Sequence, residues 1–274
     1  MAHATAEVFA ANRAAGRIDL AVKAGAGFTR RARVFEDGPL RVRFPGAPAP
    51  EAEAVIVNTA GGIAGGDRHD IRITAGEGAA LVVSTAAAEK VYRTLGASAG
   101  IAVALDIGPG ASLAWMPQET ILFDRARLVR SIDVTLAPDA RLLLAEGIVF
   151  GRTAMGEGVE AGAFADRWRV RRAGRLIHAE SFVLDGEIAT RLAEPAIAGG
   201  CVAAATVLVV PGDDATVAAV RSCGQNCRGE VGASAWNGIA LARLCAADGA
   251  ALHHDLALIL RTLRGAALPR LWLN

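Results

Sequence analysis

Ile71-Arg72-Ile73 runs into the turn Ala75-Gly76-Glu77-Gly78, and the chain resumes as Leu81-Val82-Val83. The design returns twice. Ile101 to Leu105 turns through Gly108-Pro109-Gly110 into Leu113-Ala114-Trp115, and Ile132-Asp133-Val134 turns at Pro138-Asp139 into Leu142-Leu143-Leu144. A looser fourth copy, carrying a longer insertion, runs Trp168-Arg169-Val170, turns at Ala173-Gly174 and continues as Leu176-Ile177. Alternating apolar positions mark half-buried strands, and Gly, Pro and Asp supply the turns between them. The turns recur at a spacing of about 30 residues, the scale at which supersecondary units stack into solenoids or layers. The pattern predicts an all-β dominated fold of stacked β-hairpins in a β-helical or layered arrangement. An ordinary β-sandwich with regular hairpins would share the spacing.

Outward from this core, Ile18, Leu20 and Val22 alternate in the same way. The last third differs. Cys201 to Val210 reads as an apolar strand, and Pro211-Gly212-Asp213-Asp214 offers an N-cap to a short helix over Ala215 to Arg221. Cys223 to Gly232 reads as loop and Ile239 to Leu244 as strand. Asp248 caps a second helix whose Leu252, Leu256, Ile259, Leu260 and Leu263 share one face, ended by Gly265 and Pro269. Two short C-terminal helices are therefore expected. No Pro/Gly/Ser linker divides the chain, which reads as one domain over residues 1–274.

Composition excludes several function classes. Lys plus Arg (29) balances Asp plus Glu (28), so no global field draws the chain to nucleic acid or anionic lipid. No apolar run approaches the roughly 20 residues that span a bilayer. Met1 to Asn12 lacks a basic segment leading into an apolar one, so no secretory signal is read and a cytoplasmic location is expected. Four cysteines in 274 residues are too few for a disulfide framework. A hydrophobic fraction of 53% and a mean hydropathy of +0.34 point to an apolar surface that a partner covers.

Five local features carry possible chemistry. Asn58-Thr59-Ala60-Gly61-Gly62-Ile63-Ala64-Gly65-Gly66-Asp67-Arg68 lacks the Gly-Lys-Ser/Thr of a P-loop and the glycine spacing of a dinucleotide site. Its glycines instead suit a compact turn that fixes Asp67 and Arg68 as a charged pair. Ser84 and Thr85 lead into Glu89-Lys90-Val91-Tyr92-Arg93, but no motif places a histidine beside either hydroxyl, which weakens a Ser/Thr hydrolase. Cys223 and Cys227 followed by His253-His254 invite a metal-binding or storage reading, against which stands their spacing, with adjacent helical histidines pointing about 100° apart. Glu146 interrupts the apolar run Leu142 to Val149, and Glu180 follows His178 in another. Buried acids are costly unless paired or solvated, so these two line a wet cavity or pair with an arginine such as Arg152 or Arg175.

Four blocks, in order, carry a resemblance. Asn58 to Asp67, with Thr59-Ala60 where Pro-Pro is usual, resembles the glycine-rich signature of the UreD/UreH urease accessory proteins. Thr85 to Arg93, Trp115 to Phe123 and Glu146 to Glu157, which holds Gly151-Arg152-Thr153-Ala154-Met155-Gly156-Glu157, are similar to three further blocks. The resemblance implies a β-rich stack and a non-catalytic scaffold that binds UreF, reaches the GTPase UreG through it, and docks on the urease apoprotein. It implies no tightly bound cofactor, only nickel in transit through a water-filled passage, for which Asp67, Glu89, Glu146 and Glu180 are the candidate lining residues. Gly61, Gly62, Gly65, Gly66, Asp67, Lys90, Tyr92 and Arg93 are expected to act structurally.

Overall fold

The computed structural model describes residues 13–273, so Met1–Asn12, on which the reading of no secretory signal rests, lies outside the described residues. The elements begin with β1 (Ala15–Gly25), β2 (Phe28–Asp37), β3 (Leu40–Arg43), β4 (Glu51–Asn58), β5 (Arg68–Ala75), β6 (Ala80–Thr85) and β7 (Glu89–Val91). There follow β8 (Ala99–Ile107), β9 (Ser112–Trp115), β10 (Thr120–Leu122), β11 (Arg127–Leu136), β12 (Arg141–Phe150), β13 (Ala161–Arg172) and β14 (Arg175–Glu187). The chain closes with α1 (Ile188–Ala193), β15 (Ala203–Val210), α2 (Asp214–Gly224), β16 (Glu230–Trp236), β17 (Ile239–Ala246) and α3 (Gly249–Arg264).

Two sheets lie face to face. The first runs in the order β14-β13-β11-β8-β5-β1-β2, and the second β16-β17-β15-β12-β9-β6-β4-β3, with β7 and β10 attached through β12. The repeated units are present and stacked, but their two strands do not pair with each other. The turns after β5, β8 and β11 carry the chain across to the other sheet, where each strand pairs in parallel with its counterpart in the next unit. Ile71, Val103 and Ile132 thereby come into one row, as do Leu81, Leu113 and Leu142. Only the looser fourth copy is a true hairpin: β13 and β14 are antiparallel, joined by Ala173 and Gly174, both at positive φ as a two-residue hairpin turn requires.

Burial explains the two kinds of strand. In the first sheet one face meets solvent, so β5 and β11 alternate buried and exposed residues. The second sheet is covered on one face by the first sheet and on the other by α2 and α3, and β12 is buried continuously from Leu142 to Phe150. One core cluster fills the space between the sheets, with Leu20, Ile73, Leu105, Leu113 and Leu144; another lies under the helices, with Leu252, Leu256, Ile259 and Leu260.

Both expected C-terminal helices form. Asp213 Oδ1 accepts from the Thr216 amide at 2.9 Å, and Asp248 Oδ1 from the Ala251 amide at 2.8 Å. Gly265, at φ +61°, ends α3. The expected loop Cys223 to Gly232 is shorter than read: α2 continues through Gly224, and Glu230 to Gly232 belong to β16 as edge-strand residues. The six-residue α1 was not expected, because Ile188 and Leu192 alone form its buried face. No helix of the described residues is long and apolar enough to cross a membrane.

Candidate functional site

A cavity of about 380 Å³ opens where β13 and β14 of one sheet face β12, β15, β16 and β17 of the other. Its floor is a buried ion cluster. Arg130 of β11 stands opposite Asp166 of β13 in parallel register, and its Nε and Nη2 donate to the two carboxylate oxygens at 3.1 and 2.6 Å. Nη1 donates to Glu146 Oε2 of β12, and Trp115 Nε1 donates to Glu146 Oε1 at 2.8 Å. All three charged residues are buried. One guanidinium thus faces two carboxylates in a place with little water.

The electrostatics follow. Burial works against the Arg130 charge, but Asp166 and Glu146 together outweigh it and raise its pKa above the ordinary value. Burial pushes the Glu146 carboxyl up to about 7; Arg130 pulls it down, and the second carboxylate, Asp166, opposes that pull. At the cavity rim Glu180 Oε1 accepts from Arg243 Nη1 at 2.8 Å. His178 Nε2 lies 3.4 Å from Glu180 Oε2 but is too poorly directed for a hydrogen bond. Burial raises the Glu180 pKa, while His178 and Arg243 lower it further, leaving it below the usual value.

A row of polar groups leads away from this cluster. Arg130 Nη1 lies 3.4 Å from Thr120 Oγ1 of β10. Thr120 is in register with Ile148 on one side and with Glu89 of β7 on the other. Residues level across a parallel sheet share a face. Glu89 in turn accepts from Asn58 Nδ2 at 3.0 and 3.2 Å. Burial raises the Glu89 carboxyl to about 7 against the pull of Asn58 and Lys90.

Of the four candidate acids, Glu146 and Glu180 line the cavity and Glu89 stands on the polar row. Asp67 joins neither. Its oxygens accept from the backbone amides of Ala14 at 2.9 Å and Ala64 at 2.8 Å, so it holds the glycine loop to β1. Nor do Asp67 and Arg68 form a charged pair: Arg68 Nη1 donates to the Ser98 and Asp67 carbonyls at 3.0 and 3.3 Å. The arginine partners of the two cavity acids are also not Arg152 or Arg175. Arg152 pairs with Glu157, five residues away, leaving Arg130 and Arg243 to meet Glu146 and Glu180.

Arg130 and Asp166 escaped the sequence reading although a signal existed. Arg130 occupies the apolar phase of Leu128-x-Arg130-x-Ile132-x-Val134, and Asp166 that of Phe164-x-Asp166-x-Trp168-x-Val170. A charge in the buried phase of an alternating strand demands a partner in the next buried row.

The other candidates are placed differently. Ser84 is fully buried and its hydroxyl has no partner, while Thr85 Oγ1 donates to Ala87 O at 3.0 Å and accepts from the Gln118 amide at 2.8 Å. Cys227 packs beside Asp255, and burial together with that carboxylate pushes its thiol up to about 11. His253 turns to Glu119 at 2.8 Å and His254 to Asp255 at 3.0 Å. Among the described residues no group of three or more His, Cys, Asp or Glu side chains is arranged to hold a metal ion.

The sequence model of the family described as "UreD urease accessory protein" matches residues 14–273. The chain belongs to the UreD family. It is 56% identical over 269 residues to the urease accessory protein UreD of Rhodopseudomonas palustris strain BisB18, covering 98% of this chain and 97% of the relative. It is 54% identical over 273 residues to urease accessory protein UreD 3 of Bradyrhizobium sp. strain BTAi1, covering 100% and 98%. The UreD of Bradyrhizobium diazoefficiens is 54% identical over 271 residues, covering 98% of both chains.

The four UreD blocks of the sequence meet in space. Ile63 of the glycine loop bridges to Val91, β7 pairs with β10, and β10 pairs with β12. The glycines make the contact possible. A Cβ on Gly62 would stand 2.5 Å from the Tyr92 ring, and one on Gly65 would stand 2.7 Å from the Ala97 carbonyl. Tyr92 Oη donates to Gly61 O at 2.9 Å, which closes the loop over the β7 end. Lys90 and Arg93, expected in the same structural role, are exposed.

Proposed function

We propose that this UreD-family chain acts as one unit over residues 1–274, a non-catalytic cytoplasmic scaffold in urease maturation. In this reading it binds UreF, is linked through UreF to UreG, docks on the urease apoprotein and conducts nickel without retaining it. Support for conduction comes from one observation above all: two carboxylates share a single buried arginine at the floor of a cavity that Glu180 also lines. A buried, over-acidic cluster is costly for folding alone. Carboxylate oxygens are the exchangeable ligands suited to a borderline divalent cation in passage.

The residues have separable tasks. Glu180 at the rim carries a carboxylate at neutral pH and would meet the cation first. Glu146, whose carboxyl sits at about 7, would give up its proton as the cation arrives and regain it on release. Glu89, with its carboxyl also at about 7, would continue the path toward the glycine loop. Asp67 remains a candidate by sequence but would act through the loop it holds. The buried Ser84, with no base at hand, argues against a hydrolase.

The test is co-expression with the urease subunits and the other accessory proteins. Purified urease from cells carrying Glu146→Gln or Glu180→Gln should contain less nickel than wild type at equal level of this chain and equal recovery of the UreF complex. Wild-type nickel content with both variants would sink the conduction reading. Failure of wild-type chain to co-purify with UreF would sink the scaffold reading.

A further inference from the structure

Two groups in the cavity wall have no part in the carboxylate path, the thiols of Cys201 and Cys245. Cys245 lies on β17, level with Ala204 of β15 on one side and with Glu230 of β16 on the other. Residues level across an antiparallel ladder share a face, and all three line the cavity. Cys201 reaches the same wall from the turn that precedes β15. Gly200 N donates to Leu192 O at 2.8 Å, Cys201 N to Ala198 O at 2.9 Å and Val202 N to Ala246 O at 3.2 Å, which pins that turn beside the end of β17. The two thiols stand side by side, close enough for Cys201 to bear on the Cys245 proton. Both cysteines are free and half-buried.

Packing alone does not account for the pair. Their neighbours in the wall are Ala203, Ala204 and Ala205, so a small apolar side chain would fill either position. The other two cysteines are arranged differently, since the Cys227 thiol packs beside the Asp255 carboxylate. Charge in the cavity favours a cation: its charged lining residues are Arg130 and Arg243 against Glu146, Asp166, Glu180 and Glu230. Burial pushes the Cys245 thiol up to about 11, and the Cys201 thiol and the Glu230 carboxylate push the same way. It therefore keeps its proton at neutral pH, and only an ion with a strong preference for sulfur displaces it.

The number of donors narrows the choice further. Among the described residues no third His, Cys, Asp or Glu side chain is arranged with the pair to complete a larger metal site. Zinc(II) and nickel(II) call for four or more donors, whereas a soft monovalent cation with a filled d shell is satisfied by two sulfurs in line. We infer that Cys201 and Cys245 form a two-sulfur binding site for a soft monovalent cation, copper(I), in the wall of the cavity. On binding, two S–H bonds break, two copper–sulfur bonds form and two protons leave; copper stays at +1 and no electron moves. The inference goes beyond the scaffold and conduction readings and depends on neither.

The test titrates the full, reduced chain with copper(I) under anaerobic conditions, in competition with the chromogenic chelator bicinchoninate. Wild-type chain should withdraw one equivalent of copper(I), and the X-ray absorption spectrum of that copper should show two sulfur neighbours. Cys201→Ser and Cys245→Ser should each weaken binding by at least about a hundredfold, the upper end of what loss of an outer-shell partner costs a metal site. Cys223→Ser combined with Cys227→Ser should stay within about twofold of wild type, as expected for residues that share no partner with the pair. Melting temperature shows whether each variant is folded; Cys201→Ala and Cys245→Ala, which match the alanines of the wall, replace any serine variant that is not. Failure of wild-type chain to compete for copper(I), unchanged binding in either single variant, or an equal loss in the control pair would overturn the proposal. So would nitrogen or oxygen neighbours in place of sulfur, or displacement of the copper(I) by equimolar nickel(II).

Discussion

The indole of Trp272 donates to the carbonyl of Met116 at 3.0 Å, joining the last turn of the chain to a segment 156 residues earlier. Around this bond Gln118 Nε2 donates to Leu271 O at 3.1 Å, and His253 stacks on the Trp272 ring with centroids 5.2 Å apart. The C-terminal residues thereby clamp α3 onto the connection that leads from Trp115 of β9 to Thr120 of β10. Trp272→Ala should cost about 3–5 kcal/mol of unfolding free energy, measured by urea titration, with an unchanged m-value. A loss below about 1 kcal/mol would mean that the tail decorates the core instead of closing it.

Arg130 is the sole cation of the buried cluster with Glu146 and Asp166. Arg130→Met strands two carboxylates without their donor and should destabilise by about 3–5 kcal/mol at pH 7.5. The deficit should shrink at pH 5, where the Glu146 carboxyl, raised to about 7 by burial, holds its proton. The triple change that makes all three residues apolar or amide should recover much of the loss. An equal deficit at both pH values would show that lost packing, and not unpaired charge, is the cause.

The acid dependence of stability has a definite sign. Glu89 and Glu146 have carboxyls raised to about 7, and hydrogen bonding to Glu119 raises His253 despite its burial. For each, the folded state holds its proton to a higher pH than the unfolded chain does. Their contribution is complete below the unfolded values and is lost as pH rises through the folded ones, between about pH 4.5 and 7 for the acids. The melting temperature should fall as pH climbs through that window, and Glu89→Gln with Glu146→Gln should flatten the slope. A profile rising through the same window would contradict the assignment.

Gly65 has no room for a methyl group: its Cβ would meet the Ala97 carbonyl at 2.7 Å as well as the Thr94 side chain. Gly65→Ala should destabilise by about 1–3 kcal/mol and disturb the β7–β8 loop first. Amide hydrogen exchange of residues 92–98 should accelerate more than that of β11. Gly232→Ala, where nothing lies within 4 Å of the added atom, is the matched control.

Cys227 offers a reactivity test. With its thiol raised to about 11 by burial and by Asp255, it should alkylate slowly at pH 7.5 in the folded chain and rapidly in urea. Prompt labelling of the folded protein would reopen the metal-ligand reading of Cys223 and Cys227.

Much of the architecture was legible because its signals are local. The Ile71-x-Ile73 and Ile132-x-Val134 alternations mark a half-solvated sheet, and Asp213 and Asp248 announce both C-terminal helices. Pairing was not legible, since a strand–turn–strand pattern is the same whether the turn folds back within a sheet or crosses to another. The difference lay in the second strands, whose continuous apolar runs such as Leu142-Leu143-Leu144 belong to a sheet buried on both faces. The site was half legible. Glu146 stood out as an acid in an apolar run, but its partner Arg130 is fixed by strand order, which no local pattern states. Asp67 stands apart from the cavity because a buried acid near glycines is equally suited to capping backbone amides, as it does at Ala14 and Ala64.

The sheet-crossing turns also fix the geometry of the polar row. Glu89 and Thr120 stand level on adjacent strands, whereas Glu146 lies on the third strand two residues before Ile148, the residue level with Thr120, so the row crosses the strands and slants along the last one. Its crossing steps are set by the strand repeat of about 4.8 Å, a ruler that side-chain substitution leaves untouched. A whole coil added or removed would change the length of the row by one rung, whereas a single-residue slip within a strand would turn that strand's rung to the opposite face. The reach of the row is counted in coils, and the side chain at each rung can vary without altering the spacing of the next.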